Sequence, residues 1–143
     1  MKRILIALFI MFSLISCLKN NINGIIISDT LLSNQSFQEN KNLNKIINQC
    51  LNKEFNGFKK LLEYNCGEGT GCYNLGYILT QIIFRIGEDE YIKVISKLSK
   101  KDQINLNSFI KVGLEYGDNN YDEKMDNLRI NDTFPKIVNF TNH

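Results

Sequence analysis

Tryptophan is absent from the 143-residue chain, alanine occurs once (Ala7), proline once (Pro135), and the single histidine is the last residue, His143. With one terminal histidine, neither a Ser-His nor a Cys-His arrangement can be assembled, and no His/Cys cluster has zinc-ligand spacing. The expectation is a protein without enzymatic activity, cofactor or metal. The lack of alanine goes with 20 Asn, 20 Ile and 14 Lys, the codon usage of an AT-rich genome. Asparagine is therefore discounted as a sign of function or of disorder. Long apolar runs are missing as well: residues 4–12 form a run of nine, against the roughly 20 needed to cross a bilayer. The length suits one domain and is too small for two. Hydrophobic residues make up 43% of the chain, enough for a core and too many for wholesale disorder.

What is present begins at the N-terminus. Met1-Lys2-Arg3 supplies a positive start, the apolar run follows, and Leu14-Ile15-Ser16-Cys17 closes the segment. This order is that of a secretory signal, residues 1–16, ending in a bacterial lipobox: a branched apolar residue and a small residue precede a Cys that is acylated, with palmitate-type chains, and becomes the new N-terminus. Loss of Lys2 and Arg3 leaves 15 basic and 15 acidic side chains. A neutral exported chain lacks the basic excess that attracts nucleic acid.

Residues 17–39 read as the lipidated Cys and a polar tether with one apolar island, Ile25-Ile26-Ile27 with Leu31-Leu32; residues 40–143 read as a helical domain. The expected fold class is all-α, a small bundle of four to five helices behind a flexible N-terminal lipid tether. Apolar steps of three and four run from Leu43 through Ile46, Ile47, Cys50, Leu51, Phe55, Phe58 and Leu61 to Leu62. They predict one helix over residues 40–64, with a break at Asn56-Gly57 as the alternative. A second helix over residues 73–86 carries Leu75, Ile78, Leu79, Ile82, Ile83 and Ile86 on one side and Tyr73, Tyr77 and Phe84 on the other, which places it mid-bundle. Gly87 ends it, and a third helix over residues 89–98 turns Tyr91, Ile95 and Leu98 inward. Ser99 with Asp102 resembles a capping box ahead of a fourth helix that Gly117 stops. Tyr121, Met125 and Leu128 predict a fifth, and Ile137, Val138 and Phe140 a tail that packs on the bundle.

Between the first two helices lies Cys66-Gly67-Glu68-Gly69-Thr70-Gly71-Cys72. A phosphate loop would follow a strand and continue into Lys-Ser/Thr, so a disulfide-closed turn is the better reading. A helical 50–64 segment would set Cys50 on the order of 20 Å from Cys66, which leaves Cys66 and Cys72 as the pair and Cys50 as a buried thiol. Asp118, Asn120 and Asp122 have the opening of a calcium loop, but Glu123 and Arg129 stand where Gly and Glu are required, so a polar helix entry is expected. Lys93, Lys97, Lys100 and Lys101 read as a solvated face, with a polyanion patch as the minority reading.

The AT-driven composition, the signal ending in Leu14-Ile15-Ser16-Cys17, the Asn-rich stretch and the small helical body together resemble the plasmid-encoded surface lipoproteins of Borrelia spirochaetes, in particular the orf-D type. The resemblance implies outer-membrane display through the lipid on Cys17 and contact with host or vector molecules such as a host protein or matrix ligand. A periplasm-facing structural envelope lipoprotein is the alternative.

Overall fold

The structure, a computed structural model, describes residues 20–67 and 69–142. The signal peptide, Cys17 and His143 lie outside the described residues. In chain order the elements are a hairpin of β1 (Asn21–Ile22) and β2 (Ile25–Ile26), then α1 (Asp29–Ser33), α2 (Phe37–Leu51), α3 (Phe55–Leu62), α4 (Thr70–Ile86), α5 (Glu88–Ile95), α6 (Lys100–Tyr116), α7 (Ile130–Thr133) and α8 (Pro135–Asn142). The chain is an all-α bundle with one two-stranded antiparallel hairpin, in which Asn21 opposes Ile26 and Ile22 opposes Ile25.

Helix α4 occupies the middle as expected, but its main apolar stripe alone puts it there. Leu75, Ile78, Leu79, Ile82 and Ile83 are buried, and α6 makes the most extensive contact with it. The second stripe stays largely at the surface: Tyr73 stacks on Tyr116 and Phe84 lies against Phe134, all but Phe134 exposed, while the half-buried Tyr77 donates its hydroxyl to the Asp118 carbonyl at 2.6 Å. Burial, with the nearby charges of Tyr121, Asp118 and Asp126, pushes the Tyr77 phenol up to about 12. Tyr91, Ile95 and Leu98 are buried as expected. The Ser99 hydroxyl caps α6 by accepting from the Asp102 N–H at 3.2 Å. Pro135 opens a terminal helix in place of a tail, and it is pinned to α5: the Glu88 carboxylate accepts from the Ile137 N–H, and Lys136 pairs with Asp89 at 2.7 Å.

Three expectations are corrected. The first concerns the span 40–64, which is two helices and not one. Helix α2 stops at Leu51, Lys53 turns left-handed at φ 61°, and α3 folds back on α2. The break lies before Asn56-Gly57. Gly57 is not the breaker but the contact point, since a Cβ there would sit 2.7 Å from the Cys50 backbone nitrogen. Periodicity missed the turn because Leu51 and Phe55 keep a four-residue step across it.

The second concerns residues 20–39, which belong to the folded body. Ile25, Ile27 and Leu31 are fully buried in the main core. The hairpin is held by α4: the Gln81 amide accepts from the Ile26 N–H at 2.8 Å and donates to the Ile26 carbonyl at 2.9 Å, while Arg85, one turn on, donates to the Asn23 carbonyl. Gln81 supplies the backbone pairing that a third strand would give, so its own burial costs no unmade hydrogen bond. Helix α2 starts before residue 40 because Ser36 and Glu39 form a reciprocal capping box, with the Glu39 N–H donating to the Ser36 hydroxyl and the Ser36 N–H donating to the Glu39 carboxylate. The Ser36 hydroxyl and then the Ser36 N–H, both beside the Glu39 carboxylate, hold its carboxyl below its ordinary range.

The third concerns the fifth helix predicted from Tyr121, Met125 and Leu128. All three are exposed on an irregular loop over residues 117–129, with positive φ at Tyr121, Glu123 and Asn127.

Candidate functional site

The disulfide corner forms as the sequence implies. Cys66 lies just beyond α3 and Cys72 in the first turn of α4. The two are bonded with Cα atoms 4.9 Å apart. Gly67 and Gly69 take left-handed φ values of 73° and 67°, which let the chain double back over the five residues between the two cysteines. Cys50 is free and buried beneath α3. Burial, reinforced by the Glu54 charge, pushes its thiol far up, so thiolate is scarce there. Tyr91 is also fully buried, edge-on to Phe58 at 5.4 Å, and its hydroxyl has no partner among the described residues. The expected pairing therefore stands, although its stated reason, a straight helix holding Cys50 away, does not. Enclosure in the core keeps Cys50 apart.

Replacing Cys66 and Cys72 by Ser is expected to cost about 2 kcal/mol, the loop-closure value for so short a ring. The variant should fold and melt earlier. Non-reducing peptide mapping should find the 66–72 crosslink, with Cys50 alkylated only after unfolding; rapid alkylation of Cys50 in the native protein would contradict its enclosure.

Next to the disulfide a cleft of about 360 Å³ opens between α4 and α6. Leu62, Tyr73, Phe109 and Val112 provide its apolar wall, and Asn105 and Ser108 its neutral polar edge. The Tyr73 and Tyr116 rings, 5.1 Å apart and nearly parallel, continue that surface, and both are more than two-fifths exposed. Among the described residues no carboxylate, lysine or histidine lines the cleft. Its chemistry is that of a contact surface for an apolar or aromatic group offering one or two hydrogen bonds.

The other sequence candidates are not brought into a common site. Asp118, Asn120 and Asp122 turn their oxygens inward onto the loop: Asp118 accepts from the N–H groups of Asp122 and Glu123, Asn120 from Asp122, and Asp122 from Lys124. Asp126 accepts from the N–H groups of Asn119 and Asn120. These side chains build a turn, not the helix entry expected of them. Among the described residues no group of three His, Cys, Asp or Glu side chains is placed to hold a metal ion. Lys93 follows Glu90 on α5 and pairs loosely with it at 4.0 Å, Lys97 lies beyond that helix, and Lys100 and Lys101 open α6, so the four lysines do not share one helix.

A feature that sequence reasoning missed lies where the described chain begins. A groove of about 670 Å³ runs between the hairpin, α1 and α2, with Asn20, Ile22, Leu32 and Phe37 among its walls. Phe37, the first residue of α2, is 84% exposed. Compared with protein-family models, curated proteins and solved structures, the chain matches none.

Proposed function

We propose that the chain is an exported bacterial lipoprotein, anchored to the outer membrane by acyl chains on Cys17 and displayed at the cell surface as a non-enzymatic binding module for a host or vector molecule. The order Met1-Lys2-Arg3, apolar run, Leu14-Ile15-Ser16-Cys17 carries this reading. The Cys66–Cys72 disulfide supports it, since such bonds persist in oxidising compartments and are rare in the cytosol. The resemblance to Borrelia surface lipoproteins supplies the class of partner. The aromatic cleft beside the disulfide is the surface best suited to contact, because Tyr-rich apolar patches with neutral polar edges are enriched where proteins meet.

Cys17→Ala is expected to leave the signal-cleaved protein unlipidated and in the aqueous phase of a detergent partition, because a single acylated Cys accounts for its membrane attachment. Retention of unlipidated, signal-cleaved protein in the detergent phase would refute the lipoprotein reading. Protease shaving of intact cells then separates the faces. A surface protein disappears, whereas survival would mark the periplasm-facing alternative.

A further inference from the structure

The anchor and the folded body are close in sequence. Cys17 and Asn20 are separated by three Cα–Cα steps, a reach of at most about 11 Å. Asn20 is itself a wall of the groove, whose lining mixes Ile22, Leu32 and Phe37 with asparagines and the Asp29 carboxylate, so the lipid-bearing residue can lie no farther than that from this wall. Phe37 projects from the body at 84% exposure and takes no part in the core. Lys41, one turn further along the same side of α2, is exposed as well, as is Lys45 beyond it. An exposed aromatic followed at helical spacing by lysines suits the boundary between lipid headgroups and acyl chains, where the ring enters the apolar layer and the ammonium groups stay among the phosphates.

We infer that the face formed by the hairpin, α1 and the first turns of α2 lies on the phospholipid leaflet that carries the Cys17 anchor, with Phe37 inserted at the headgroup–acyl boundary. The inference rests on the lipid-anchor reading and adds an orientation to it: the body sits on the membrane rather than on a long stalk. The occupant of the groove is lipid, because the chain's own attachment point delivers the leaflet there.

The absence of tryptophan makes the test direct. Phe37→Trp, at an exposed first helical position, gives a single reporter, and Met125→Trp, 65% exposed on the 117–129 loop, gives its control. Both are prepared as the lipidated chain, checked for unchanged circular dichroism, and reconstituted in phosphatidylcholine–phosphatidylglycerol vesicles with or without brominated acyl chains. The tryptophan at 37 is expected to lose about half its emission to the bromines, since an interfacial side chain sits at their depth, while the one at 125 stays unquenched. If the protein sediments with the vesicles and the tryptophan at 37 is no more quenched than the control, the orientation is overturned and the anchor stands. Absence of acyl mass on Cys17 overturns both. A concentration-dependent blue shift at 37 without bromine quenching assigns the groove to a second copy of the chain and also overturns the proposal.

Discussion

A chain shortened to residues 40–143, the span that apolar periodicity alone marks as the helical body, is expected to lose its cooperative unfolding transition. The cut removes Ile25, Ile27 and Leu31, all fully enclosed in the main core. At about 1.5–3 kcal/mol for each fully buried aliphatic side chain, their loss amounts to roughly 5–9 kcal/mol. That is comparable with the whole stability of an ordinary domain, about 5–15 kcal/mol. The cut also deprives Gln81 of the Ile26 backbone it pairs with and takes away the Ser36 cap of α2. Urea denaturation followed by circular dichroism, with the chain from residue 17 as reference, decides the matter. An unchanged midpoint in the shortened chain would show that the hairpin is an ornament on an independent bundle.

The reason residues 20–39 were read as a tether is physical. Strands of two residues are too short to show alternation, three consecutive isoleucines fit neither period, and the partner that orders them is Gln81, far along the chain. By contrast, α4, α5 and α6 were legible because each keeps a long apolar stripe between local stop and start signals, Gly87 and Ser99 among them. Ser36-x-x-Glu39 is an equally legible start signal, masked by the polar residues on both sides of it. The 117–129 loop failed in the opposite sense. Tyr121, Met125 and Leu128 mimic helical spacing, but Asp118, Asn120 and Asp126 bond the backbone N–H groups of their neighbours and hold the chain in turns. Discounting asparagine as codon bias concealed that signal. The disulfide was legible because it is local and glycine-rich. The groove beside Asn20 was not, because it exists only once the hairpin, α1 and α2 are packed together.

Gly113→Ala and Gly76→Ala are each expected to destabilise the protein by about 3 kcal/mol, at the upper end of the cost of overpacking. In an open helix the same change would gain about 1 kcal/mol through helix propensity, so the sign itself is the test. The two glycines face each other where α4 crosses α6. A Cβ at Gly76 would stand 2.5 Å from the Phe109 carbonyl oxygen and 3.0 Å from the Gly113 nitrogen; one at Gly113 would meet the Gly76 carbonyl and stand 2.7 Å from the Tyr77 nitrogen. All of these are backbone atoms, which cannot rotate aside as the end of a side chain would. The helices must move apart, loosening Leu75 and Leu79 on one and Leu106, Ile110 and Leu114 on the other, all now buried. A drop of about 10 °C in melting temperature should accompany the loss. Ser108→Ala, exposed on the same helix, serves as the propensity control and should be neutral or slightly stabilising. If Gly113→Ala instead matches the control, the backbones of α4 and α6 are not in contact, and the crossing that organises the bundle must be drawn more widely.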